Sequence, residues 1–182
     1  VARLIVLLRG VNLGGRNRLA MPQLREALEG AGFEDVSTYV QSGNVVLSSK
    51  ATAQRVGAEV ERLIAKRFDL DIKVVVRTRA QLATVVKRNP FEKVAKNPKL
   101  YQVTFLEKAP PVEVMRKLEA ATSGKEQVAH IGRELYAWHP DGVGRSKLAA
   151  LMSGKGLGVT TTARNWTTVT RLLEMANEPS TG

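Results

Sequence analysis

The order in which strand-like and helix-like stretches follow one another constrains this chain most. Arg3 to Leu8, apolar from Leu4 on, reads as a buried strand. Pro22 suits the first turn of a helix whose Leu24, Ala27, Leu28 and Ala31 make one apolar stripe, and Gly32 stops it. "VSTYV" and "NVVLSS" flank "QSG", the pattern of a β-hairpin with glycine at a positive-φ position. Val56, Val60, Leu63, Ile64 and Phe68 then recur at helical spacing, and "IKVVVRT" reads as another strand. The first part is therefore predicted as β-α-β-β-α-β, the ferredoxin-like order.

The second part repeats most of that order. A helix over 79–88, ended by "NPF", leads into strand "YQVTFL" and helix "PPVEVMRKLEA". "EQVAHI" and "RELYAWH" make a hairpin around Gly132, "SKLAALM" a short helix, and "GLGVTTT" a weak last strand. "ARNWTTVTRLLEMA" is predicted as a final helix with Trp166, Val169, Leu172, Leu173 and Ala176 on one side. The expectation is an α+β chain of two tandem ferredoxin-like subdomains. They span 1–78 and 79–182, the second carrying the linking helix and the C-terminal helix.

Composition narrows the chemistry. The 182 residues include no cysteine, which excludes disulfides, thiol catalysis and cysteine-ligated zinc and suits a reducing compartment. No apolar run reaches the roughly 18 residues of a membrane span, and residues 2–8 are too short for a signal peptide, so a cytoplasmic location is expected. The net charge is +11 and unevenly spread. No acidic residue precedes Glu26, and none lies between Asp71 and Glu92 or between Asp141 and Glu174, while each gap carries Arg or Lys. Such stretches favour phosphate-bearing partners, although a basic surface also serves solubility alone.

The loop between the first strand and helix, "RGVNLGGRNR", is where a site is expected. In the ferredoxin-like order the first strand and the following hairpin turn at the same end of the sheet, so residues 9–17 and 41–44 should be neighbours. Arg9, Asn12, Asn17, Gln41, Ser42 and Asn44 offer polar groups there, and Gly10, Gly14, Gly15 and Gly43 let a ligand approach the backbone. The start of the first helix adds N–H groups that attract anions. The bland alternative is an awkward turn in which Asn12 bonds to backbone. The spacing Gly10 to Gly15 nearly matches a P-loop but places Arg16 and Asn17 where Lys and a magnesium-binding hydroxyl are required.

Other chemistry has less support. Ser42 lies outside any G-x-S-x-G elbow, and His130 and His139 fall in the second hairpin, apart from it. Two histidines without a third ligand make a poor metal site; Asp35, Asp69 and Asp71 are the carboxylates available for magnesium, but Asp69 and Asp71, which flank a strand at the same end as the glycine-rich loop, read as solvating a turn, so no metal or cofactor is predicted. Arg164, Asn165 and Trp166 open the predicted last helix, with Thr162 as its N-cap. They are either structural, with Trp166 in the core, or they bring Arg164 and Asn165 to the basic loop at a shared cleft.

"LLRGVNLGGRNRLAM" followed by "GFEDVSTYVQSGNVVL", with "TTARNWTTVTRLLE" near the end, resembles an uncharacterised bacterial family, domain of unknown function 1697. The three motifs occur in the family's order and the likeness runs nearly end to end. By position the motif residues are Arg9, Gly10, Asn12, Gly14, Gly15 and Asn17; Gln41, Ser42, Gly43 and Asn44; and Thr162, Arg164, Asn165, Trp166 and Thr168. Val11 and Leu13 stand where other aliphatics are common. The resemblance implies two ferredoxin-like subdomains and brings no activity.

The function expected from the residues is binding of phosphate-bearing ligands through basic glycine-rich loops, with RNA or single-stranded nucleic acid first. The alternatives are an enzyme or sensor for a small phosphorylated metabolite or nucleotide, and a protein-interaction module. The first-half strands lack aromatics. In the second half Tyr101 and Phe105, and Tyr136 and Trp138, alternate onto shared faces of adjacent strands. An open face there would stack bases, with Arg145, Lys147 and Lys155 supplying phosphate contacts; packing under a helix is the alternative.

Overall fold

The computed structural model describes residues 1–153 and 155–180, without the side chain of Lys155, and the phosphate contact expected of that residue lies outside them. The chain is mixed α+β with two four-stranded antiparallel sheets and, among the described residues, six α-helices. The described residues divide into two compact units, Val1–Thr84 with residues 171–180, and Val85–Thr170.

In the first unit β1 (Ala2–Leu8), α1 (Met21–Gly30), β2 (Glu34–Tyr39), β3 (Asn44–Ser49), α2 (Ala53–Phe68) and β4 (Val74–Thr78) follow in that order. The sheet runs β2-β3-β1-β4, so β1 is central and pairs antiparallel with β3 and β4. Leu4, Val6 and Leu8 of β1 join Leu24 and Leu28 of α1 and Val56, Val60 and Ile64 of α2 in one core. Ile5 and Leu7, on the opposite face, are also fully buried, which explains an apolar run without alternation. Thr52 caps α2 by accepting the Arg55 N–H, and Lys66 and Arg67 complement the helix dipole in its last turn. Asp35 sits in a β-bulge at φ +49°, where its carboxylate accepts from Ser48 and its carbonyl from Arg3.

The second unit takes in the end of α3 (Arg79–Lys87), then β5 (Tyr101–Leu106), α4 (Val112–Ala121), β6 (Gln127–Ile131), β7 (Glu134–Trp138), α5 (Lys147–Ser153), β8 (Thr161–Asn165) and the start of α6 (Trp166–Asn177). Its sheet runs β6-β7-β5-β8, the same topology as the first. Leu106, Leu135 and Ala137 pack under α4 and α5 with Leu118, Leu148 and Met152.

Two sequence readings change here. The last strand occupies 161–165, later than "GLGVTTT", because Gln102 to Leu106 of β5 pair with Asn165 to Thr161. Arg164 and Asn165 therefore lie in β8, and the N-cap of α6 is Asn165, whose side chain accepts the Thr168 N–H at 3.0 Å, instead of Thr162. The last strand of the first sheet ends alike: Thr78 closes β4 after Arg77 and exchanges capping-box hydrogen bonds with Gln81.

The stacking surface is also not open. Tyr101 and Trp138 do sit opposite one another, with Tyr136 beside them, on the face turned away from α4 and α5. The chain from Val85 onward covers that face. The Tyr136 hydroxyl donates to the Val85 carbonyl at 2.7 Å and the Tyr101 hydroxyl to Asn89 at 2.6 Å. Phe91 meets Tyr101 edge-on, and Trp166 stacks on it at 4.9 Å. Tyr101, Phe105, Tyr136 and Trp138 are 0, 1, 1 and 8% exposed. The phenols gain hydrogen bonds inside while the rings leave water, so burial wins over an exposed platform.

Candidate functional site

β1 delivers the chain to the end of its sheet where the β2–β3 hairpin turns, and the Leu8 N–H donates to the Gly43 carbonyl at 2.8 Å. The glycine-rich loop there is a second, miniature hairpin. The Arg16 N–H donates to the Leu13 carbonyl at 2.9 Å, and the Asn12 N–H to the Asn17 carbonyl at 3.1 Å. Gly14 and Gly15 are its central residues at φ +57° and +81°, the left-handed values that a two-residue turn of this kind demands. The Gly-Gly dipeptide between Leu13 and Arg16 is the sequence signal for this turn, and the P-loop-like spacing is a by-product of it.

Three asparagines fasten the frame. The Asn12 amide donates to the Leu19 carbonyl at 2.8 Å and the Gln41 carbonyl at 2.6 Å, and accepts the Leu19 N–H at 2.9 Å. That side chain ties the small hairpin to the β2–β3 turn. Asn17 donates to the Gly10 carbonyl at 3.0 Å. Both residues hold positive φ, which asparagine tolerates better than most. Asn44 is fully buried and donates to the Tyr39 carbonyl and to Ser42 Oγ, both at 3.1 Å.

What this frame presents is a set of donors. Arg9 is half-buried; Arg16, Arg18 and Gln41 are exposed. Among the described residues no carboxylate or hydrogen-bond acceptor engages the side chains of these three arginines, and the N–H groups of Gly14 and Gly15 donate to nothing. Asn12, Gly15, Arg18, Leu19, Ala20, Gln23 and Gln41 line a shallow concavity of about 580 Å³. α1 starts at its edge. The N-cap Ala20 has no capping side chain, Pro22 no N–H, and the first turn no acidic residue, so the positive helix end is left uncompensated. Arg16, Arg18 and Gln23 were not among the expected site residues; the signal for the two arginines is the acid-free stretch before Glu26, and none marks Gln23.

Arg164 and Asn165 belong to the second unit. Arg164 is 9% exposed and donates to Thr162 Oγ1 at 2.7 Å and the Ala163 carbonyl at 2.8 Å. Burial lowers its pKa to about 10, so it stays charged at neutral pH.

The second unit also holds a buried polar cluster. His139 Nδ1 lies 2.6 Å from Glu126 Oε2, to which Ser146 Oγ also donates. His139 and the Glu126 side chain are 0 and 5% exposed. Serine and carboxylate both meet Nδ1 and the hydroxyl bonds the carboxylate, so this is not a nucleophile–base relay. Ser146 caps α5 by accepting the Ala149 N–H, so the cluster joins the turn before β6, the end of β7 and α5. Burial opposes ionisation of Glu126, but hydrogen bonds from Ser146, His139 and the Ser123 N–H outweigh it and hold its carboxyl below the usual range. A depressed carboxylate stabilises the fold above its unfolded pKa and loses that contribution as pH falls through the folded one. Glu126→Gln is expected to cost about 1–3 kcal/mol at pH 7 and less near pH 3. Urea unfolding at both pH values checks this; an equal cost at both would deny the carboxylate its role.

Among the described residues no three His, Asp or Glu side chains are grouped to hold a metal, and no helix is long and apolar enough to cross a membrane. The pattern of the family described as "Protein of unknown function (DUF1697)" matches residues 1–136. The structure of the conserved bacterial protein SP0830 from Streptococcus pneumoniae superposes with a TM-score of 0.79 at 19% identity, covering 97% of this chain and 99% of that one. No curated protein matches the sequence.

Proposed function

The chain belongs to the DUF1697 family, which carries no assigned activity, and we propose that it binds phosphate-bearing ligands at the glycine-rich end of its first unit, RNA or another single-stranded nucleic acid first. The observation that carries this reading is the set of arginines at that end, Arg9, Arg16 and Arg18, with no carboxylate partner among the described residues. A net charge of +11, laid out in acid-free stretches, supports it. The Gly14 and Gly15 N–H groups, Gln41 and the start of α1 are further donors for phosphate oxygens. Gly10, Asn12, Asn17, Ser42, Gly43 and Asn44 shape the site. The ligand is held through its backbone and not by aromatic stacking, since the aromatic face of the second unit is covered. The strand orders support two ferredoxin-like subdomains, 1–78 and 79–182, and the lack of cysteine suits the cytoplasm.

Binding of a single-stranded RNA oligonucleotide, followed by fluorescence anisotropy, is expected at low salt and should weaken steeply as salt rises. No binding at low salt refutes the nucleic-acid reading. The concavity beside Arg18 and Gln23 favours a second reading, a small phosphorylated metabolite or nucleotide. Such a ligand at about 100 times its Kd would stabilise the chain by about 2.7 kcal/mol, visible as a thermal shift.

A further inference from the structure

We propose that the tip of the small hairpin is an apolar wedge, in which Leu13 enters between neighbouring bases of the bound strand while Arg16 and Arg18 hold the flanking phosphates. The inference rests on the nucleic-acid reading above. Leu13 is 63% exposed, and Val40, on the adjoining turn, 52%. Single exposed aliphatics are ordinary. These two differ in how they are held. Leu13 immediately precedes a two-residue turn whose base is fixed by the Asn12 and Asn17 side chains. Val40 takes φ +50°, a strained value for a β-branched residue, and its neighbour Gln41 receives the Asn12 amide at 2.6 Å. Asn12 thus braces the backbone beside each of these two exposed apolar residues.

Their surroundings select the occupant. Arg16 and Arg18 follow the tip within five residues, and no acidic residue occurs in the chain before Glu26. An acidic polymer with apolar faces between its charges matches that pattern, and a nucleic-acid strand has this form. Proteins that bind duplex DNA insert apolar side chains, leucine among them, as wedges between stacked bases, and the stacked bases of a single strand offer the same apolar faces.

The test uses the full chain and a single-stranded RNA oligonucleotide with 2-aminopurine at its centre, whose emission rises when its neighbours unstack. The parent should brighten the probe on binding. Leu13→Ala should lose the brightening and bind about tenfold more weakly, with the salt dependence unchanged because no charge is removed. Leu13→Met, which keeps an apolar tip, should behave like the parent. Unchanged thermal midpoints establish that both variants are folded. If Leu13→Ala binds and brightens the probe like the parent, the wedge is refuted while the phosphate reading stands. If the parent does not bind RNA, both fall. If the substitution leaves RNA binding intact but abolishes binding of the parent to phosphatidylserine vesicles, the tip serves a lipid surface and the proposal is overturned.

Discussion

Gly43→Ala is expected to lower the stability of this chain by about 3 kcal/mol or more, from two separate causes. Gly43 holds φ +80°, where an L side chain is strained. A Cβ would also lie 2.6 Å from Val11 Cγ2 and 2.7 Å from Leu8 Cβ, closer than carbon atoms approach. Leu8 and Val11 are buried, so neither moves aside without disturbing the core beneath the loop. Gly32 separates the causes, since it has φ +93° but nothing within 4 Å of the place a Cβ would take. Gly32→Ala should therefore cost only the conformational part, about 1 kcal/mol. Equal losses for the two variants in urea unfolding would show that the close packing of the β2–β3 turn against the loop is not what Gly43 provides. The same packing holds residues 9–17 beside 41–44, so Gly43→Ala should also weaken ligand binding.

The second large effect lies in the other unit. Tyr101→Ala should cost about 3–5 kcal/mol, the range for removing a large buried ring. Tyr101 is 0% exposed, stacks on Trp166, meets Phe91 edge-on and bonds Asn89. Tyr101→Phe keeps the ring and loses only the hydroxyl bond; Asn89 Oδ1 still accepts the Phe91 N–H, so about 1 kcal/mol is expected. A Tyr101→Ala variant as stable as the parent would mean that the ring is not packed, and would return the face to consideration as a stacking surface.

Elements whose local pattern and tertiary role agree could be read from the sequence. β1 was legible because its stretch buried on both faces, Leu4 to Leu8, is apolar throughout, and the β2–β3 hairpin because Gly43 has to supply positive φ. The boundary at Asn165 was not. Arg164 and Asn165 fit a helix start by local preference, and only pairing with Val103 and Gln102 across the sheet makes them strand. The alternation that put Tyr136 and Trp138 on one face held, but which face is covered depends on where residues 85–91 return, and that is long-range. At the candidate site, residue type revealed the donors but not the division of labour. Asn12 and Asn17 look like ligand contacts in sequence, yet their amides are engaged by the backbone of the loop and its neighbouring turn. Arg16 and Arg18 were visible only as charge.

The salt dependence of RNA binding separates a phosphate site at the glycine-rich end from a diffuse basic surface. Each phosphate neutralised on a single strand contributes a slope of about −0.7 to log K against log salt. For the parent, with Arg9, Arg16 and Arg18 in contact, a slope of about −2 is expected. Arg16→Gln/Arg18→Gln, which alters two exposed side chains, should bind more weakly with a slope shallower by about 1.4. The same slope in the parent and the double variant would contradict the assignment of the phosphate site to the glycine-rich end.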